Sequence, residues 1–168
     1  MYQMRKWIYI FMLSGIASYA LALPNDTTQT MHIVADASSF NYHTGMSQYD
    51  GNVHITQGAA QLTADRLITH NNSSHKIQEA IAYGFQHQAE YWTRLKANDP
   101  LLHAIADVIH FYPQKSLVIL EGNAKVVQGD NTFDGPVIIY NIQKQTVTAP
   151  PSKLGRATVV INPDNPTS

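Results

Sequence analysis

Beyond residue 30, apolar and polar residues alternate along much of the chain. Met31, Ile33 and Ala35 fall on one side of a strand, His32 and Val34 on the other. Val53, Ile55 and Gln57 alternate with His54 and Thr56, and Leu62 and Ala64 continue the pattern within Gln61–His70. A period of two marks a strand with one covered face, because successive side chains leave it on opposite sides. Ile77, Ile81 and Tyr83 are expected to share one face of a strand over Lys76–Gly84. Leu101–Tyr112, Phe133–Tyr140, Thr146–Ala149 and Arg156–Ile161 supply further strands. Leu117–Leu120 differs: it is an unbroken apolar run of four, which predicts a strand covered on both faces. Asn71–Ser74 and Leu95–Pro100 read as loops, and Pro113–Ser116 as a turn. No window holds an amphipathic helical period over three turns. About a dozen short strands with turn residues between them predict an all-β domain, which either two facing antiparallel sheets or a coiled, jelly-roll-like stack would satisfy.

The strands repeat. YDGNVHITQG, Tyr49–Gly58, returns 71 residues later as LEGNAKVVQG, Leu120–Gly129. Gly51 maps on Gly122, Asn52 on Asn123, Gln57 on Gln128 and Gly58 on Gly129. Ala35-Asp36 and Ala106-Asp107 precede the two copies at the same spacing, and Leu67 matches Ile138 on the far side. The register extends over both flanks, so the domain is an internal duplication. Gly-Asn tolerates positive φ and predicts a tight turn before each strand; Gln-Gly closes it.

The ends stand apart. Arg5 and Lys6 precede an apolar run, Trp7–Ile16, and then Ala20-Leu21-Ala22. This is the pattern of an export signal over 1–22, cleaved after Ala22. The run falls short of the about 20 apolar residues that span a bilayer. Residues 23–30 are expected to be a mobile segment, 31–161 the folded domain, and 162–168, with two prolines, a disordered tail. Without the signal, nine basic residues face twelve acidic ones. That balance argues against a nucleic-acid partner. There is no cysteine, so strand pairing and burial must hold an exported chain together.

Candidate chemistry is thin. The eight histidines form no HxH or HExxH pattern, although His32 and His54 lie where neighbouring strands would bring them close. Zinc needs three or four converging ligands, so no metal or other cofactor is expected. Asp36, Asp65 and Asp107 each follow an alanine. A carboxylate that recurs with the repeat is expected to cap or bend strands rather than catalyse. No nucleophile elbow or phosphate loop is present, so no catalytic residue and no enzyme activity is expected. What remains is the apolar face: Met31, Ile33, Val53, Ile55, Leu62, Tyr91, Ile109, Phe111, Leu117, Ile119, Val126, Phe133 and Tyr140. These side chains fill a sandwich core, or they line a trough for lipid chains between two sheets standing apart. The pattern alone leaves both open.

MHIVAD (Met31–Asp36), GNVHITQG (Gly51–Gly58), LTADRL (Leu62–Leu67), AYG (Ala82–Gly84), LEGNAKVVQG and VIIYNIQKQTV (Val137–Val147) together resemble the OstA-like family of lipopolysaccharide-transport proteins. The resemblance runs from about Met31 to Ala149. It implies a coiled, slightly twisted β-jellyroll whose sheets open into a V and hold the acyl chains of lipid A. It implies a periplasmic location and head-to-tail assembly, with itself and with the inner-membrane-anchored and outer-membrane OstA-like components. Met31 and Ile33 match first-strand residues that meet lipid and the inner-membrane neighbour, so Met31, His32, Ile33, Val34 and Ala35 are the expected docking edge. Tyr91 and Phe111 match interior aromatics. Pro113 replaces an aliphatic residue common in the family, and the region after Ala149 matches poorly. The rival expectations are a membrane-anchored component of the same pathway and a carbohydrate-binding or hydrolytic jelly roll.

Overall fold

The computed structural model describes residues 29–162 apart from 75 and 95–98. The expected export signal, most of the 23–30 segment, part of the Leu95–Pro100 loop and nearly all of the tail lie outside the described residues. Twelve strands follow in order: β1 (Met31–Val34), β2 (Ala37–Asn41), β3 (Met46–Gln57), β4 (Ala60–Asn71), β5 (Ile77–Tyr83), β6 (Ala89–Thr93), β7 (Leu102–Ala106), β8 (Val108–Tyr112), β9 (Leu117–Gln128), β10 (Asn131–Asn141), β11 (Thr146–Thr148) and β12 (Thr158–Val160). A short 3-10 turn at Pro113–Lys115 separates β8 from β9. Every strand pair is antiparallel.

The long strands β3, β4, β9 and β10 each belong to two sheets. The first half of β3 pairs with β2 and the second half with β1. β4 changes partner from β6 to β5, β9 from β8 to β7, and β10 from β12 to β11. One sheet therefore runs β1-β3-β4-β6-β7-β9-β10-β12. The other runs β2-β3-β4-β5-β8-β9-β10-β11. This is a two-layered jelly roll, the architecture the family resemblance implies, joined by strands that pass through both layers.

The duplication is visible in the backbone. β3 and β9 coincide after the 71-residue shift, end to end. Gly51 and Gly122 both have φ 75°, and Asn52 and Asn123 both have φ 46°. The amide of Asp36 donates to the Gly51 carbonyl, and that of Asp107 to the Gly122 carbonyl, each at 2.9 Å. One expectation needs correction. Gly-Asn does not reverse the chain before a strand; it bends a single strand in its middle, where the β3–β4 register breaks between Asp50 and Val53. Two successive positive-φ residues insert a bulge, and a bulge turns a strand without ending it.

One strand's faces also differ from expectation. Val118 and Leu120 point inward with 1% and 0% exposure, while Leu117 and Ile119 lie on the outer face, half-buried. Among the described residues Ile119 is sheltered by its own row, Ile68, Ile81, His110 and Ile139, rather than by a second layer. On β5 the inward residues are Ala80 and Ala82, and Ile81 and Tyr83 share the outer face; a bulge separates Ile77 from them.

Candidate functional site

Register pairing aligns the inward side chains into continuous rows. In the first sheet, Ile33, Ile55, Leu62, Tyr91, Ala104, Val126 and Phe133 follow one another across seven strands. In the second, Leu67, Ala82, Ile109, Leu120 and Ile138 form one row. Ala80, Phe111, Val118, Tyr140 and Val147 form another. The two sheets thus turn apolar rows toward a shared interior.

Burial in this interior is not uniform. Beside the bends, Val53, Leu67, Ile109, Leu120 and Ile138 are at most 1% exposed. Farther from the bends burial is uneven: Val118, Val126 and Tyr140 are at most 3% exposed, while Leu62, Tyr91, Phe111 and Phe133 face the same space and keep part of their surface exposed.

The predicted lining residues Met31, Ile33, Val53, Ile55, Leu62, Tyr91, Ile109, Phe111, Val126, Phe133 and Tyr140 are all brought together on this interior. Leu117 and Ile119 are not, for the reason given above. Leu67, Leu102, Val118, Leu120 and Ile138 belong to it and were not among the predicted lining residues. The repeat held a signal for Leu120, since it occupies the position of the inward-facing Tyr49.

β1 forms the edge of the first sheet, with Met31, Ile33 and Ala35 against the core and Val34 65% exposed on the other face. At the opposite edge, β12 pairs only with β10, and Val159, Val160 and Ile161 are exposed. The second sheet ends in β2 and β11. Among the described residues, the edges of both sheets thus present backbone without a strand partner.

The conspicuous carboxylates are structural fittings. Asp36 and Asp107 accept from the side-chain amides of Asn52 and Asn123. Asp65 accepts from the backbone N–H groups of Phe85, Gln86 and His87, and the Gln86 bond is the leading cause that holds its carboxyl below the ordinary range. His32 stands opposite Thr56 and His54 opposite Val34, so the two histidines are not direct partners.

Sequence reasoning missed a polar cluster on the outer face of the second sheet. Tyr112 Oη donates to Glu79 across 2.7 Å, and His110 Nδ1 lies 3.4 Å from the same oxygen. The Tyr112 bond, aided by His110, holds the Glu79 carboxyl below its ordinary range against the opposing effect of burial. An open cavity of about 530 Å³ adjoins it, lined by His70, Gln78, Glu79, Tyr112, Gln114 and Lys115. Its partners come from β4, β5 and β8, which only cross-strand register brings together.

Residues 32–146 match the family model described as LptA/(LptD N-terminal domain) LPS transport protein. The chain belongs to this family. The matched segment begins within β1 and ends at the start of β11, so it takes in both apolar layers but not β12. Among LptA-type relatives, the lipopolysaccharide export system protein LptH of Pseudomonas aeruginosa is 32% identical over 143 residues, covering 84% of this chain and 77% of LptH. The lipopolysaccharide export system protein LptA of Escherichia coli K12 is 29% identical over 144 residues, covering 86% of this chain and 77% of LptA. The crystal structure of LptH, described as the LptA-homologous periplasmic component of the lipopolysaccharide transport device, superposes with a TM-score of 0.76 at 26% identity. It covers 83% of this chain and all of that one. No helix among the described residues of this LptA-family chain is long and apolar enough to cross a membrane.

Proposed function

We propose that this LptA-family chain is a periplasmic lipopolysaccharide carrier, which shelters acyl chains of lipid A between its sheets and hands them to a neighbouring copy or to related inner- and outer-membrane components. The observation that carries this reading is the continuous apolar interior between the two layers, in which Leu62, Tyr91, Phe111 and Phe133 keep part of their surface exposed. Burying a methylene is worth about 0.8 kcal/mol, so a fully sheltered twelve-carbon chain would gain roughly 8–10 kcal/mol. Several chains held that tightly would not be released. An interior that leaves part of each chain exposed lowers this figure and permits transfer. The open edges β1 and β12 favour head-to-tail joining, with backbone hydrogen bonds supplying the contact. Such a carrier binds its cargo without making or breaking covalent bonds. In the same reading, residues 1–22 are removed on export, residues 31–161 form the working domain, and mass measurement of the mature protein gives Leu23 as its first residue.

Site-specific photo-crosslinking in cells tests this. A crosslinker at Tyr91 or Phe111 captures lipopolysaccharide, and one at the outward Ile119 does not. Silence at every interior position, with the protein folded and exported, would overturn the proposal.

A further inference from the structure

Three buried side-chain polar atoms among the described residues have no hydrogen-bond partner: Asn71 Oδ1, Asn131 Oδ1 and Tyr140 Oη. The asparagines occupy strand ends, the last residue of β4 and the first of β10. Tyr140 does not. It lies within β10, is 3% exposed, and stands in register between Val118 and Val147, with Phe111 beyond Val118. Its row continues beyond Ala80 to the buried Thr69 and Ser47, but Tyr140 Oη alone among these hydroxyls lacks a partner, and its own strand neighbours Val118 and Val147 are apolar.

A buried hydroxyl without a partner is unfavourable, and phenylalanine would supply the same ring without that burden. The oxygen therefore calls for a ligand group. Its protonation state says which kind. Burial pushes the Tyr140 phenol up to about 12, and the nearby Tyr91 and Asp99 act in the same direction. The group keeps its proton throughout the physiological range and serves as a donor. The complement is an acceptor that tolerates apolar surroundings. Phosphate and sugar hydroxyls are too strongly hydrated to enter between Val118, Val147 and Phe111. A carbonyl at the root of a hydrocarbon chain fits.

We infer that Tyr140 is a specificity-determining contact for the cargo, its hydroxyl donating to the ester or amide carbonyl where an acyl chain joins its headgroup. This rests on the lipid-carrier reading and names the part of the lipid that is recognised beyond its bulk apolarity. It makes the inner layer selective for acyl over alkyl chains.

The test uses two synthetic diglucosamine lipids of equal chain length. One carries ester- and amide-linked chains; in the other, ether and amine linkages replace every carbonyl. Calorimetric titration of the purified protein is expected to favour the carbonyl-bearing lipid by about five- to tenfold, the span of one hydrogen bond. Tyr140→Phe is expected to bind both lipids with the weaker affinity. It should melt at the same temperature or higher, because it discards an unpaired polar atom. A wild-type protein blind to the carbonyl would overturn the inference while leaving the carrier reading intact. So would a Tyr140→Phe variant that keeps the preference, or one that loses substantial stability. Failure of the wild-type protein to bind either lipid would remove the carrier reading itself.

Discussion

The side-chain amide of Asn123 donates to the carboxylate of Asp107 across 2.9 Å, and Asn52 makes the equivalent bond to Asp36 across 2.8 Å. Each pair fastens a short strand's end to the bend of a long one. The neighbouring glycine is tied to the same device: a β-carbon at Gly51 or Gly122 would collide with the facing carboxylate, and both glycines have positive φ. Gly122→Ala is therefore expected to cost about 1–3 kcal/mol from backbone strain and the displaced carboxylate. Asp107→Ala should cost about 1 kcal/mol, being a more exposed hydrogen bond. In a double-mutant cycle by urea denaturation, Asp107→Ala and Asn123→Ala are expected to be non-additive; additive losses would show that the bond contributes nothing.

The two faces of β9 give a second prediction. Leu120→Ala empties a fully buried position and is expected to cost about 2–5 kcal/mol. Ile119→Ala, one residue away on the half-covered outer face, should cost less than about 1.5 kcal/mol, since less apolar area leaves water there. Equal losses in urea midpoint would contradict the assigned faces.

Acid should unfold the domain through its fitted carboxylates. Asp65 is held below its ordinary pKa of 3.8 chiefly by the Gln86 amide, and Glu79 below 4.5 chiefly by the Tyr112 hydroxyl. A folded-state pKa below the unfolded value gives stability that is complete above the ordinary carboxylate range and lost as pH falls through the folded value. The urea midpoint should therefore vary little with these groups above about pH 5 and decline below about pH 4. Tyr112→Phe removes the leading cause at Glu79 and should make that decline shallower. An unchanged acid limb would show that the bond does not persist in solution.

Association should depend on the open edge. Val34→Lys places a charge on the outer face of β1, where the side chain is 65% exposed. Static light scattering at rising concentration is expected to show weaker self-association, with the unfolding midpoint changed by less than about 0.5 kcal/mol in stability. Assembly unaltered by Val34→Lys, and by proline at the same position, would argue against β1 as a joining strand.

Much of the fold was legible because a 71-residue echo fixes more than local propensity does. It set the equivalence of the two Gly-Asn positions and of the aspartates that face them, which the backbone repeats. What was misread has a common origin. Gly51-Asn52 has the same composition in a hairpin turn and in a mid-strand bulge, and only pairing on both sides distinguishes them. The run Leu117–Leu120 has no polar residue to mark its outer face. On β5 the small Ala80 and Ala82 face the interior while the larger Ile81 and Tyr83 do not, so residue size gave no guide to the covered face. The contact of Glu79 with Tyr112 joins residues from strands that only cross-strand register makes neighbours.

The long strands β3, β4, β9 and β10 are common to both layers. Separating the layers at one strand would therefore flex its bend and, through the hydrogen-bonded ladder, strain the strands beside it. The two layers are coupled along their shared length, and a displacement at one strand is passed to the next.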